Sequence, residues 1–132
     1  VRDRYRGYNR NPWNEIECGS NYARSMASFA LIPIISGMRF DLTRGTLGFA
    51  PLTGHEGFRT VWFTGSAWGN LTIGEETRLT VISGGMELER LELPYLDDVK
   101  SLTIDGKPAD FTFSDGAVRF GKTAIAKEIV VR

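Results

Sequence analysis

Apolar positions along the chain change period, and the changes mark out three zones. Residues 1–19 are rich in Arg, Asn, Tyr and Gly, contain Pro12 and keep no lasting period, which predicts ordered loop. From Ser20 the apolar side chains recur at helical spacing. Ala23, Met26, Ala27, Ala30, Leu31, Ile34 and Ile35 fall on one stripe, which predicts a principal helix over about residues 20–36. Ser20 is its N-cap and Gly37 stands just beyond its end, although Ala23 at the third helical position rules out a capping box. Tyr22, Phe29 and Ile32 project from the opposite side, so the helix is apolar on two sides and calls for two partners. One is the sheet that follows; the other is expected outside this sequence. Pro33 lacks an amide proton and is expected to bend or end the last turn.

Residues 38–131 switch to β-branched and aromatic positions punctuated by Gly, the texture of successive short strands. Strands are predicted over 38–42 and 47–50, joined through Thr43-Arg44-Gly45-Thr46, and then over 58–63, 67–73, 78–82 and 86–93. Leu88 and Leu91 break the alternation of the last of these, which predicts a bulge near Glu89-Arg90. The tail reads as a meander. Residues 102–104 meet Asp105-Gly106, residues 111–113 meet Asp115-Gly116, and strands over 118–120 and 128–131 complete it. The expected fold class is α+β: one principal helix packed on a largely antiparallel β-sheet or sandwich over about residues 38–131.

Composition narrows the partners. The 132 residues suit a single domain, and 42% hydrophobic with 24% charged content is ordinary for a globular chain. Lys plus Arg and Asp plus Glu number 16 each, and this zero balance argues against nucleic acid. Arg2, Arg4, Arg6 and Arg10 crowd one end and read as a solvated lead-in rather than an anion-binding arm. No apolar run reaches the roughly 18 residues of a membrane span, and no signal-peptide pattern is visible. Cys18 alone cannot form an internal disulfide. It fits a reducing, cytoplasmic compartment and leaves a bacterial periplasm open. A start at Val1 rather than Met suggests a piece of a longer polypeptide.

The densest chemistry lies in Asn11-Pro12-Trp13-Asn14-Glu15-Ile16-Glu17-Cys18-Gly19-Ser20-Asn21-Tyr22-Ala23-Arg24, which gathers an aromatic, two carboxylates, amides and an arginine around a helix start. Sugar sites use that mixture, carboxylate and Arg pairing with vicinal hydroxyls while a ring covers the apolar sugar face. A well-capped helix start, with Glu15 or Glu17 near the positive end of the dipole, explains the same residues equally well. Glu15 and Glu17 on an extended segment would stand about 6.5–7 Å apart. Glycosidase carboxylates sit about 5–5.5 Å or 6.5–9.5 Å apart, but they flank the scissile bond from different directions. Two neighbours on one strand point the same way, so a self-contained catalytic pair is not expected. Cys18 and His55 are too few for a zinc site. His55 lies in a Gly-flanked loop, Asn70-Leu71-Thr72 is a sequon inside a predicted strand, and no nucleophile-elbow pattern occurs. Trp62, Phe63 and Trp68 are expected in the core or on a sheet surface rather than as a carbohydrate platform.

The stretch NPWNEIECGSNYARSMASF, Asn11 to Phe29, resembles the late signature of glycoside hydrolase family 116, the non-lysosomal glucosylceramidases and their microbial β-glucosidase and β-xylosidase relatives. Ser36-Gly37-Met38-Arg39-Phe40-Asp41 and Gly48-Phe49-Ala50-Pro51 are similar to the hairpin region that follows. The resemblance covers about the first half of the chain; beyond residue 85 no motif carries it. It implies that the helix belongs to an (α/α)6 barrel, with residues 1–50 closing the catalytic region and 51–132 forming a β-rich carboxyl-terminal body. It implies a retaining reaction on a β-glucoside or β-xyloside, without metal or other cofactor. Glu15 and Arg24 would bind sugar hydroxyls, with Trp13, Asn14, Glu17 and Tyr22 as supports. Asn21 stands where many members carry His. The nucleophile and acid/base carboxylates would lie upstream, in the remainder of a parent polypeptide, leaving this piece inactive alone. The unpaired helix face predicts a homo-oligomer. The rival expectation is a non-catalytic β-sandwich module that binds glycan or protein.

Overall fold

A computed structural model of the chain describes residues 26–132. The chain divides into two units, 1–30 and 31–132; of the first, only the 3-10 segment Met26–Ala30 is described. The second opens with a six-residue α-helix, α1 (Leu31–Ser36). The single long helix expected over 20–36 is therefore, in its described part, a 3-10 segment followed by a short α-helix. Pro33 supplies the reason. It cannot donate an i→i−4 hydrogen bond, and it sits in the first turn of α1, where no such bond is required, rather than in the last.

Within α1 the predicted stripe persists but faces outward. Leu31, Ile34 and Ile35 are exposed, whereas Ser36 is fully buried, its Oγ donating to Ile32 O at 2.7 Å. α1 lies against the sheet strand Arg59–Phe63, and its more buried residues, Ile32, Pro33 and Ser36, form the side opposite the stripe. Beyond the helix, Gly37 N donates to Ile34 O (3.1 Å) and Met38 N to Pro33 O (2.9 Å), with Gly37 at φ 58°. This paired closure is the Schellman motif. It admits only Gly, because a Cβ there would stand 2.0 Å from Ala50 O.

Eleven strands follow: β1 (Arg39–Asp41), β2 (Thr46–Gly48), β3 (Arg59–Phe63), β4 (Ala67–Ile73), β5 (Thr77–Gly84), β6 (Met86–Glu92), β7 (Leu102–Ile104), β8 (Lys107–Pro108), β9 (Phe111–Ser114), β10 (Ala117–Ile125) and β11 (Glu128–Val131). They form a five-stranded sheet in the order β1-β2-β6-β10-β9 and a six-stranded sheet in the order β3-β4-β5-β11-β7-β8. Every pairing is antiparallel except β2 with β6. The expected α+β class, a helix with a largely antiparallel sandwich, is what the structure has. The tail is not a simple meander. Its β7–β8 hairpin belongs to the six-stranded sheet and β9–β10 to the five-stranded one, and β11 then returns to lie between β5 and β7.

Alternation explains the layering. β4 buries Ala67, Gly69, Leu71 and Ile73 and exposes Trp68 and Asn70; β11 buries Ile129 and Val131 on the same inner face. From the other sheet Leu47, Leu88, Leu91, Val118 and Ile125 complete one core cluster with them. The slip in β6 is the predicted bulge: consecutive amides of Glu89 and Arg90 both donate to Gly45 O, at 2.8 and 3.1 Å. Opposite it, β10 passes from Arg119 to Thr123 while β6 passes only from Arg90 to Leu88. Both Asp-Gly turns have positive φ at both residues, 51° and 81° at Asp105-Gly106 and 52° and 66° at Asp115-Gly116. These are type I′ turns, whose twist matches the flanking strands.

Candidate functional site

The residues expected to hold sugar, Trp13, Asn14, Glu15, Glu17, Tyr22 and Arg24, all lie outside the described residues. What the described residues do bring together is a cleft at the β3–β4 turn. Phe63 and Trp68 are directly opposed across the hairpin, as are Val61 and Asn70 two positions further from the turn, so all four share one face. Trp62 points the other way and is fully buried, its Nε1 donating to Asn70 O at 3.2 Å. The three clustered aromatics are thus split. Trp62 belongs to the core, while Trp68 and Phe63 remain 48% and 41% exposed.

Trp62 fits because Gly69 faces it. A Cβ on Gly69 would lie 3.0 Å from the indole and only 1.7 Å from Thr80 O. The turn itself is locked by one side chain. Thr64 Oγ1 accepts from the amides of Ser66 (3.4 Å) and Ala67 (3.2 Å) and donates to Ala67 O (3.1 Å), while Thr64 N donates to the same carbonyl at 2.8 Å. On the β5 side, Trp68 faces Ser83 and Gly69 faces Val81, which leaves Ile82 as the extra, exposed residue of a bulge. Gly84, at φ 81°, brings its backbone so close that a Cβ would stand 2.0 Å from Ser66 O. Rings, hydroxyls and bare backbone therefore enclose an open cleft of about 450 Å³, with Phe63, Thr64, Ser66, Trp68 and Ser83 as its side-chain lining. Among the described residues, none that lines it is charged.

Charge gathers at the far end of the same sheet, where Arg59, Thr72 and Arg78 align. Arg78 donates to Glu76 and to Glu128, and Arg132 Nε donates to Glu76 at 2.7 Å. The Arg78 guanidinium, followed by that of Arg132, holds the Glu76 carboxyl below the usual carboxylate range. His55 is an exposed loop residue, as its Gly-flanked setting predicts, with its ring stacked on Tyr95 at 5.2 Å. Burial pushes the Tyr95 hydroxyl up to about 12, opposed by a hydrogen bond with Thr77 at 3.1 Å. Among the described residues no cluster of three or more His, Cys, Asp or Glu side chains could hold a metal ion, and no helix is long and apolar enough to cross a membrane.

Sequence reasoning missed Asp105 as a tertiary anchor. Its carboxylate accepts from the amides of Ala126 (3.0 Å), Lys127 (2.8 Å) and Glu128 (2.9 Å), pinning the β10–β11 turn. The cleft had a signal in the sequence: Phe63 and Trp68 stand at equal distances from Gly65-Ser66, which pairs them in any hairpin centred there. No protein-family model and no curated protein sequence matches this chain.

Proposed function

We propose that the chain is a carboxyl-terminal portion of a retaining β-glycosidase, a β-glucosidase or glucosylceramidase type, that contributes sugar-binding residues and depends on carboxylates supplied by the rest of a longer polypeptide. One observation carries the reading: the segment Asn11 to Phe29, with its carboxylates, amides, aromatic and arginine, resembles the late signature of glycoside hydrolase family 116 and runs directly into a Gly37 stop and a hairpin. In this reading Glu15 and Arg24 hold hydroxyls of the non-reducing sugar through charge-assisted hydrogen bonds. Trp13, Asn14, Glu17 and Tyr22 support them, and the substrate is a β-glucoside or β-xyloside.

The exposed Leu31, Ile34 and Ile35 of α1 support the same reading, since an apolar helix side of this kind calls for a covering surface. In the parent enzyme that surface would be the remainder of the polypeptide. In the isolated chain it would be a second copy.

The test is kinetic. In the enzyme that carries this segment, Glu15→Ala and Arg24→Ala each should lower kcat/KM on an aryl β-glucoside by about a hundredfold or more, the effect of losing a charged hydrogen-bond pair, with an unchanged thermal midpoint. Wild-type kinetics in both variants would sink the assignment. The 132-residue chain alone is expected to leave the same glucoside intact; turnover by it would show that the catalytic groups lie within this sequence.

A further inference from the structure

We infer that the β3–β4 cleft, built from residues other than Glu15 and Arg24, is a binding site for a neutral, β-linked glycan chain of glucose or xylose units. The inference does not depend on the glycosidase reading; it rests on Phe63 and Trp68, their polar surroundings and the uncharged character of the described residues that line the cleft.

Large exposed aromatic side chains are costly to leave against water unless something covers them. Here two of them occupy directly opposed backbone positions of a strand pair, and the Thr64-locked turn holds that backbone. Rings in such positions offer an apolar, flat surface at little further loss of freedom. A sugar with all its substituents equatorial presents the matching surface, an apolar face of axial C–H groups bordered by hydroxyls.

The border of the cleft answers those hydroxyls. Ser66 and Ser83 line it as neutral donors and acceptors, and backbone at Gly65 and Gly84 forms its bare floor. Asn70, exposed on the same face beside Val61, extends the polar margin along the strand. An anionic glycan or a nucleic acid would require cations, yet among the described residues no charged side chain lines the cleft, and Arg59 and Arg78 lie at the other end of the sheet. A volume of about 450 Å³ is large enough to seat a sugar ring, and the cleft is open to a continuing chain.

The site can be read in a Trp13→Phe background, which leaves exposed Trp68 and buried Trp62 as the two tryptophans. The 132-residue chain would be titrated with cellohexaose and xylohexaose, following tryptophan fluorescence and heat. The expected result is saturable binding that Trp68→Ala weakens by about tenfold or more. Trp68→Tyr should restore most of it, and Arg59→Ala, at the far end of the sheet, should leave it unchanged. Trp68→Ala alters a half-exposed side chain, so its thermal midpoint should stay near that of the wild type, and Phe63→Ala provides a second probe of the platform.

Each of these outcomes overturns the inference: no binding by the wild type at millimolar sugar; equal affinity in Trp68→Ala; preference for oligogalacturonate over the neutral chains; or self-association through this face, abolished by Trp68→Ala, without sugar binding. Binding that Glu15→Ala abolishes and Trp68→Ala spares would locate the sugar at the other subsite, and would overturn this inference while supporting the glycosidase one.

Discussion

Asp105 offers the sharpest test of how the sandwich is held together. Its backbone is left-handed at φ 51°, and its carboxylate gathers three amides of the β10–β11 turn. Burial pushes this carboxyl up, but the hydrogen bonds from Glu128, Ala126 and Lys127 outweigh that and hold it below its ordinary value of 3.8. Asp105→Ala removes all three bonds. The amides of Ala126 and Lys127 are exposed and regain water, so most of the hydrogen-bonding loss falls on the part-buried Glu128 amide, about 1–2 kcal/mol. Placing Ala in a left-handed conformation adds about 1 kcal/mol. The total, about 2–3 kcal/mol, corresponds to a fall of roughly 10 °C in thermal midpoint for a chain of this size. Asp115→Ala makes the same backbone change at φ 52° in the other type I′ turn and should cost only about 1 kcal/mol. Asp105→Asn keeps the turn preference and an acceptor and should fall between them. The pH dependence is a second readout. Because the folded carboxyl titrates lower than the unfolded one, its contribution is complete above about pH 4 and is lost as pH falls through the folded value. Circular-dichroism melts should therefore show a steeper acid decline for the wild type than for Asp105→Asn. Equal midpoints for the two Ala variants, or superimposable acid limbs, would refute the anchor.

Two further outcomes follow from the packing. Tyr95 has its folded value raised from 10.0 to about 12, so the stability tied to its neutral form is present below about pH 10 and lost as pH rises toward 12. Urea unfolding across that window should show a loss of about 2–3 kcal/mol that Tyr95→Phe lacks; parallel losses would disprove it. Gly69→Ala sets a Cβ 1.7 Å from Thr80 O, and strand separation of that order should cost more than about 4 kcal/mol. Recovery of Gly69→Ala with a native spectrum and midpoint would show that the β4–β5 bulge yields instead.

The sequence made local structure legible wherever one residue type has one conformational use. Asp105-Gly106 and Asp115-Gly116 announced type I′ turns, Leu88 and Leu91 announced the β6 bulge, and Gly37 announced the helix stop. Ala67–Ile73 was legible to the residue because its alternation is unbroken. Long-range choices were not. Nothing local pairs β2 in parallel with β6, or assigns neighbouring hairpins to different sheets, because both choices are settled by face-to-face burial between distant strands. The far half of β10 escaped notice for a related reason: Gly121-Lys122-Thr123 sits in a register irregularity, where side-chain parity is lost. In the described helix the stripe of Leu31, Ile34 and Ile35 did not reveal which side is buried, because Ile32 and Ser36 on the opposite side turn inward instead. Of the candidate chemistry, Trp68 and Phe63 were legible as sheet residues, but their shared exposure depended on the register of a hairpin.

The position of β11 has a kinetic consequence. Among the described residues it is the only strand that joins β3-β4-β5 to β7-β8 within the sheet, and the ion pair between its Glu128 and Arg78 spans 50 residues of chain. Until it inserts, the six-stranded sheet exists as two pieces, each presenting a raw edge that invites strands from other molecules. Folding should thus be gated by a late, distant closure rather than by its fast hairpins, and crowded refolding should lose material to aggregation in that interval.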